Sequence, residues 1–124
     1  DQVAVLEGEL IGKPGNHQRA VEQLTRASGK TVTFYTGLCL IDSASDREQL
    51  IVEPFEVVFR NLTLQQIENY LTREQPYNCA GSFKAEALGI TLFERLYGDD
   101  PSSLIGLPLI RLVQMLEAEN ISIL

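Results

Sequence analysis

The sequence contains only one histidine and two cysteines, which limits the metal and catalytic chemistry open to it. His17 cannot form a histidine-based metal site or a catalytic triad alone, and Cys39 and Cys79 lack the short spacing of metal-ligating cysteine pairs. We expect both thiols to be reduced residues of the core in a cytoplasmic protein.

Basic residues are scarce, and no long apolar run is present. The 10 Lys and Arg residues face 17 Asp and Glu, which gives a formal net charge of -7. This disfavours general affinity for nucleic acid, because phosphate backbones bind basic surfaces. No apolar run approaches the roughly 20 residues that span a bilayer, and no export signal is visible. We expect neither nucleic acid nor membrane as a partner, and an anionic substrate would need a local basic cluster.

The remaining composition is typical of one globular domain over residues 1–124, with 44% hydrophobic residues. Apolar periodicity predicts an α/β domain on a mixed sheet, in which the two long strands are antiparallel neighbours. The predicted elements are a hairpin over 3–11, a helix over 16–28, strands over 31–41 and 49–60, a helix over 63–75, a loop over 79–89, a strand over 90–97 and a helix that Pro108 opens.

Local signals sharpen several of these predictions. Asn16 is a predicted N-cap, and Thr63 with Gln66 three residues later resembles a capping box. Residues 31–41 suit a largely buried strand, in which Gly37 indicates a bulge or a close backbone approach. Pro54 indicates an edge position or a bulge in the next strand.

Two short stretches concentrate polar and glycine residues in the manner of a functional site. Asp1 and Gln2 begin the first strand, and Lys13 follows one hairpin later between glycines, so the acid and the lysine should lie close together. The second stretch is the loop over 79–89, which carries Lys84 and Glu86 among apolar and glycine residues.

The motifs of the whole chain, taken in order, resemble the Maf family of nucleoside triphosphate pyrophosphatases. They are Gly12-Lys13-Pro14, Ser28-Gly29, Tyr35-Thr36-Gly37, Cys79-Ala80-Gly81, Phe93-Glu94-Arg95 and Gly106-Leu107-Pro108-Leu109. The resemblance implies an elongated, twisted sheet flanked by helices. The family's N-terminal Ser-x-Ser-Pro-Arg-Arg phosphate loop and a helix with a further lysine have no counterpart, so we expect the C-terminal two thirds of such an enzyme, truncated at its N-terminus.

Within that family, the sequence resembles the 7-methyl-GTP pyrophosphatase subgroup through Gln2 and the segment Ser82-Phe83-Lys84-Ala85-Glu86. The resemblance implies that Asp1 is the proton acceptor and a candidate metal ligand. It implies that Lys13 binds phosphate and that Gln2 and Glu86 set substrate specificity. Lys84 is a further predicted substrate-binding residue. A divalent cation, Mg²⁺ or Mn²⁺, and a homodimer are also implied.

The chemistry supports these roles but leaves structural alternatives open. A carboxylate can deprotonate water or hold a cation, yet Asp1 could be a turn residue and Lys13 a solvated loop lysine. The Glu86 carboxylate matches the N1–H and N2–H₂ donors of guanine, and a buried carboxylate would also favour the cationic N7-methylated ring. Its alternative is a surface ion pair with Lys84.

The other notable residues have mainly structural interpretations. Phe83 is expected in the core rather than stacked on a base, and His17 is expected to be exposed in the first turn of its helix. Asp99 and Asp100 are read as turn and cap rather than a cation site, with Ser102 and Ser103 as N-caps. One of Glu94 and Arg95 could face the site, since alternate residues of a strand point to opposite faces.

The predicted function is hydrolysis of 7-methyl-GTP to the monophosphate and pyrophosphate in the cytoplasm. The nearest alternative is a dTTP- or UTP-type pyrophosphatase of the same family. Two further alternatives are a nucleotide-binding, septum-related regulatory protein without turnover and an inactive fragment.

Overall fold

The computed structural model describes residues 1–124 and contains one five-stranded sheet with helices packed against it. The strands are β1 (Gln2–Leu6), β2 (Glu9–Ile11), β3 (Thr31–Asp42), β4 (Arg47–Phe59) and β5 (Phe93–Tyr97). The helices are α1 (His17–Ala27), α2 (Leu64–Glu74), α3 (Pro101–Ile105) and α4 (Leu109–Ala118). Two 3₁₀ segments, Ala80–Ser82 and Leu88–Leu92, lie between α2 and β5. The α/β class predicted from the sequence is confirmed.

The strand order is β2-β1-β3-β4-β5, and all four pairings are antiparallel. The predicted mixed sheet is therefore wrong, because the connections through α1 and α2 do not join parallel neighbours. The long β3–β4 ladder runs without a break from Thr31↔Val58 to Asp42↔Arg47, which confirms the predicted neighbours. Gly37 lies in this unbroken ladder, and its N–H donates to the Asp1 carbonyl at 2.7 Å. Gly37 therefore marks no bulge, and a Cβ there would lie 3.7 Å from the Asp1 carbonyl oxygen, an ordinary contact. The close backbone approach expected of this glycine is therefore also absent. Pro54 lies where β4 has an open side, because β5 pairs only with residues 56–59.

The core lies on one face of the sheet, between the inward residues of β1, β3 and β4 and the buried faces of α1 and α2. Its buried residues include Leu6, Leu24, Val32, Phe34, Val57, Phe59, Ile67 and Leu71. The predicted caps are present: the Asn16 side chain accepts from the Arg19 N–H at 2.9 Å, and Thr63 with Gln66 forms the complete capping box. Both caps satisfy N–H groups that the first helical turn leaves without partners.

Three expectations about the strands were wrong. The end of β3 beyond Thr36 is only partly covered, because the β3–β4 ribbon extends past the core. Cys39 lies on this extension and is exposed, whereas Cys79 is half-buried, and both thiols are free. The last strand begins at Phe93 rather than at residue 90, because residues 88–92 form a 3₁₀ turn after Gly89 closes against Lys84.

The corner between α3 and α4 is held by Asp100. Its carboxylate accepts from the Ser102 N–H at 2.9 Å and, through Oδ2, from the Ile110 N–H at 2.9 Å. Asp100 therefore caps α3 and also holds the first turn of α4. The prediction of Ser102 and Ser103 as N-cap residues is wrong, because both lie inside α3, although Ser102 Oγ accepts from the Leu109 N–H at 3.0 Å. None of the helices is long and apolar enough to cross a membrane.

Candidate active site

The five residues that the sequence analysis singled out line one cavity. We call it the lysine cavity; its volume is about 380 Å³. Its charged and amide residues are Asp1, Gln2, Lys13, Asn78, Lys84 and Glu86. The start of β1, the loop after β2, the loop after α2 and the end of α3 each contribute to its wall. Residues up to 104 positions apart in the chain therefore share one surface.

The charged groups of the lysine cavity are free of protein partners. None of the six ion pairs in the structure includes Asp1, Lys13, Lys84 or Glu86. Their side chains also make no hydrogen bond within the protein. Glu86 does not pair with Lys84, so the surface ion pair considered from the sequence is absent. Glu86 is also exposed, so the expectation of a buried carboxylate was wrong. Two ammonium groups and two carboxylates are thus available to a ligand.

Gln2 is held differently, because its amide nitrogen is bound to the protein. It pairs with Thr36 across the β1–β3 ladder, and its Nε2 donates to Thr36 Oγ1 at 3.0 Å. The same nitrogen lies 2.9 Å from the Ser103 carbonyl and 3.1 Å from the Leu104 carbonyl. These contacts connect the first strand to α3, so Gln2 is a fixed part of the cavity wall.

The loop that carries Lys84 and Glu86 is anchored by Phe83. This ring is buried and makes edge-to-face contacts with Phe34, Phe59 and Phe93 at centroid distances of 5.1–5.5 Å. The predicted core role of Phe83 is confirmed, and its burial places the next residues at the cavity rim. The Lys84 N–H donates to Tyr70 Oη at 3.0 Å, and the Lys84 carbonyl accepts from the Gly89 N–H at 2.9 Å.

Gln23 of α1 joins the two loops that carry the lysines. Its Nε2 donates to the Gly12 carbonyl at 3.0 Å, and its Oε1 accepts from Ser82 Oγ. The Gly15 N–H donates to the Tyr77 carbonyl at 2.9 Å, a second link between the same loops. Sequence analysis missed Gln23, because a polar residue on an amphipathic helix carries no signal of the loops it contacts.

Two groups have raised pKa values, namely the Cys79 thiol, which lines the lysine cavity, and the Tyr70 hydroxyl, which contacts the Lys84 N–H from outside it. Burial raises the pKa of Tyr70. Burial also raises the pKa of the Cys79 thiol, and this effect is larger than the lowering of the pKa by the nearby Lys84 charge. Both groups are therefore neutral near pH 7. Cys79 is accordingly a wall residue and not a thiolate nucleophile.

The remaining predicted residues lie elsewhere. Glu94 and Arg95 are exposed, form an ion pair with each other at 2.6 Å and do not line the lysine cavity. His17 is not a free surface residue, because its ring contacts Tyr77 Oη at 2.8 Å and Glu68 Oε2 at 2.6 Å. The side chain of Asp100 serves as a cap, as predicted.

A second and larger cavity, of about 540 Å³, lies beside α4. We call it the acidic cavity, since its charged lining consists of Glu53, Glu56, Asp99, Asp100 and Arg111. The nearly buried Glu53 lies 3.5 Å from Arg111. Four carboxylates facing one guanidinium make a poor surface for a polyphosphate.

Comparison with known proteins identifies the family. The sequence model described as Maf-like protein matches residues 1–119. The chain belongs to the Maf-like family. The chain is also similar to three proteins that carry the name 7-methyl-GTP pyrophosphatase.

The similarity to these Maf-like relatives runs through the whole chain. The chain is 58% identical to the protein of Nitrosococcus oceani and 59% identical to that of Colwellia psychrerythraea, over all of its residues and 62% of each relative. It is 57% identical to the protein of Pseudoalteromonas atlantica, over 99% of its residues and 63% of that relative. The chain thus spans less than two thirds of the length of these relatives.

Proposed function

We propose that this chain supplies the water-activating, phosphate-binding and base-recognising residues of a pyrophosphatase that acts on 7-methyl-GTP. The products would be the nucleoside monophosphate and pyrophosphate. The observation that carries the proposal is the lysine cavity, where Asp1, Gln2, Lys13, Lys84 and Glu86 lie together with their charges unpaired. The names of the three relatives support the same reaction.

The reaction requires a water to attack the α-phosphorus while pyrophosphate leaves. In the proposed mechanism the Asp1 carboxylate accepts a proton from that water. Lys13 and Lys84 bind the phosphate oxygens and offset the negative charge that develops on the leaving group. Their ammonium groups suit this role because each offers three donors as a mobile point charge.

A divalent cation, Mg²⁺ or Mn²⁺, is part of the proposal. No group of three His, Cys, Asp or Glu side chains in residues 1–124 could hold a metal ion. The donor set still fits Mg²⁺, which is commonly bound by one or two carboxylates together with substrate phosphates. Asp1 is the carboxylate that would hold it, and the bound cation would supply charge neutralisation to the triphosphate.

Base recognition is assigned to Glu86 and Gln2. An ionised Glu86 has two acceptor oxygens for the adjacent N1–H and N2–H₂ groups of guanine, whereas uracil offers one donor between two carbonyls. The positive charge of the N7-methylated ring adds attraction to the carboxylate. We also propose that the protein acts in the cytoplasm, where nucleotides are made and used, and as a homodimer, which sedimentation would test.

The test compares turnover of 7-methyl-GTP, GTP and UTP by the full-length gene product, with pyrophosphate release as the readout. We expect the highest kcat/KM on 7-methyl-GTP, and we expect Glu86→Gln to lower that preference about tenfold, the effect of losing one charge-assisted hydrogen bond. The matched control is Glu117→Gln, an exposed change of the same charge outside both cavities.

Three outcomes would contradict the proposal. Preference for UTP would favour the dTTP- or UTP-type activity. Equilibrium binding of nucleotide without any product would favour a regulatory protein without turnover. An unchanged preference in Glu86→Gln would remove Glu86 from base recognition.

A further inference from the structure

The orientation of the Gln2 amide follows from the chemistry of its neighbours. Its Nε2 faces two backbone carbonyls, those of Ser103 and Leu104, and neither can donate a hydrogen bond. Its third neighbour, Thr36 Oγ1, uses its own hydrogen to donate to the Ser103 carbonyl at 3.0 Å. Thr36 can therefore only accept from Gln2. The nitrogen end of the amide must point into this cluster of acceptors.

The acceptor cluster is rigid because it is buried. Thr36 is 1% exposed and Ser103 is fully buried. Ser103 Oγ donates to the Asp100 carbonyl at 2.7 Å, which ties the cluster to the capped corner before α4. A flipped amide would bring its oxygen against two carbonyl oxygens and leave its N–H groups outside the cluster. The flip would also remove the donor to the Leu104 carbonyl, whereas the Ser103 carbonyl would keep the Thr36 hydroxyl and the Gly106 N–H. The oxygen–oxygen contacts and the lost donor are costly, so the flipped state is disfavoured.

This arrangement leaves Gln2 with only its Oε1 for a ligand. Both hydrogens of Nε2 are committed to the protein, and Oε1 has no partner within it. Gln2 and Glu86 line the same cavity, and an ionised carboxylate is also acceptor-only. The two specificity residues therefore offer acceptors and no side-chain donors to a nucleobase.

We propose that Thr36, with the Ser103 and Leu104 carbonyls, is a positioning unit that fixes Gln2 as an acceptor toward the ligand. The ligand class that suits such a wall is a base edge with adjacent donors, as in guanine. Inosine nucleotides lack the 2-amino group, and uridine nucleotides place carbonyls beside their one donor. The choice of base rests on the proposed function, but the polarity of Gln2 does not.

The first test measures base preference in Thr36→Val, which keeps the side-chain shape and removes the hydroxyl. We expect the kcat/KM ratio of 7-methyl-GTP to UTP, and that of GTP to ITP, to fall about tenfold, mainly through KM. Thr36→Ser keeps the hydroxyl and should restore the ratio. An unchanged ratio in Thr36→Val, with thermal unfolding like wild type, would overturn the proposal.

A double-mutant cycle separates positioning from a general packing effect. In a Gln2→Met background, Thr36→Val should have no further effect on base preference, because there is no amide left to orient. An additive effect of the two substitutions would contradict the positioning role. If Thr36→Val does not fold, Gln2→Met provides the test alone. It must lower the kcat/KM ratios of 7-methyl-GTP to UTP and of GTP to ITP by itself.

A measurement without turnover distinguishes this inference from the proposed function. NMR of the Gln2 side-chain NH₂ in the wild-type protein should show two resolved hydrogens that exchange slowly with water, and Thr36→Val should speed that exchange. Rapid exchange in the wild type would overturn the inference even if 7-methyl-GTP is hydrolysed. If no nucleotide is hydrolysed, slow exchange still supports the fixed amide while the proposed function fails.

Discussion

The two cavities of this chain differ in size and in charge. Size alone would favour the acidic cavity as a nucleotide site, whereas charge favours the lysine cavity. The acidic cavity is larger, about 540 Å³ against about 380 Å³ for the lysine cavity. Its charged lining is four carboxylates and one arginine that pairs with Glu53, whereas the lysine cavity carries two lysines and two carboxylates without protein partners. A triphosphate is attracted to the lysines of the lysine cavity and repelled by the carboxylates of the acidic cavity.

Under the proposed function, unpaired charge marks the polyphosphate site of this chain better than cavity volume does. In the acidic cavity, Asp100 caps two helices and Glu53 pairs with Arg111, so these groups stabilise the fold. In the lysine cavity the backbone groups of Asp1 and Lys84 are hydrogen-bonded, while the charged side chains have no partner within the protein. Fixed backbone with free charge is what a site needs to meet a ligand with little reorganisation.

The largest expected effect tests this contrast with one aspartate from each cavity. Asp1→Asn should lower kcat for pyrophosphate release by about 100- to 10,000-fold, because the amide cannot accept the proton of the attacking water. Asp99→Asn, an exposed change in the acidic cavity, should stay within about twofold of wild type. Equal losses in the two variants, or none in Asp1→Asn, would reverse the assignment of the cavities.

The lysines should give the next largest effect. Lys13→Ala and Lys84→Ala should each raise KM for 7-methyl-GTP about 10- to 100-fold, as expected for a lost hydrogen bond to a charged phosphate. The control is Lys30→Ala, since Lys30 pairs with Glu7 on the surface and lines neither cavity. An equal rise in KM in Lys30→Ala would show that KM depends on the overall charge of the protein and not on the two lysines of the cavity.

A pair of glycines tests whether the shape of the lysine cavity, as well as its charge, matters. A Cβ on Gly89 would lie 2.1 Å from the Lys84 carbonyl oxygen, and a Cβ on Gly98 would lie 2.2 Å from the Phe55 ring. Both Gly→Ala variants should lose about 1–3 kcal/mol of unfolding free energy in denaturant titrations. Only Gly89→Ala should also weaken nucleotide binding, because it displaces the backbone of Lys84. Equal weakening by Gly98→Ala would show that binding follows stability alone.

Local physical rules explain which parts of this fold could be predicted from the sequence. The capping box of Thr63 and Gln66 and the alternation of β4 depend on residues a few positions apart, and both were predicted. The late start of β5 and the exposure of Cys39 depend on distant contacts. Gly89 closes against Lys84, and the β3–β4 ribbon extends past the core. No local pattern reports either contact.

The candidate site shows the same division. Asp1, Lys13 and Glu86 could be named from motifs, because they carry the charges that the chemistry needs. Phe83, which anchors the loop of Lys84 and Glu86, could be predicted as a core residue, but two other residues that hold the site in place could not be named. Thr36 and Gln23 act through partners 67 and 59 positions away, and their residue types are common on strands and helices.

The smallest expected effect concerns Asp100, whose charge is structural. Burial opposes ionisation of Asp100, but hydrogen bonds from Ser102 and from the Ile110 N–H outweigh it and hold its pKa below the usual value. A lowered pKa means that the ionised cap stabilises the fold fully above pH about 3.9, the unfolded value, and that this contribution is lost as the pH falls further. Asn is as good an N-cap as Asp, but one of its two terminal groups is an NH₂, which cannot accept from the Ile110 N–H as Oδ2 does. Asp100→Asn should therefore cost about 1 kcal/mol of unfolding free energy at pH 7, the typical net worth of one hydrogen bond, and the difference from wild type should shrink as the pH falls below about 3.9. The control is Asp99→Asn, which removes the same charge from the neighbouring residue, whose side chain makes no hydrogen bond. Its free energy of unfolding should stay near that of the wild type at every pH. A difference for Asp100→Asn that persists below that pH would mean that the carboxylate acts through shape and not through charge.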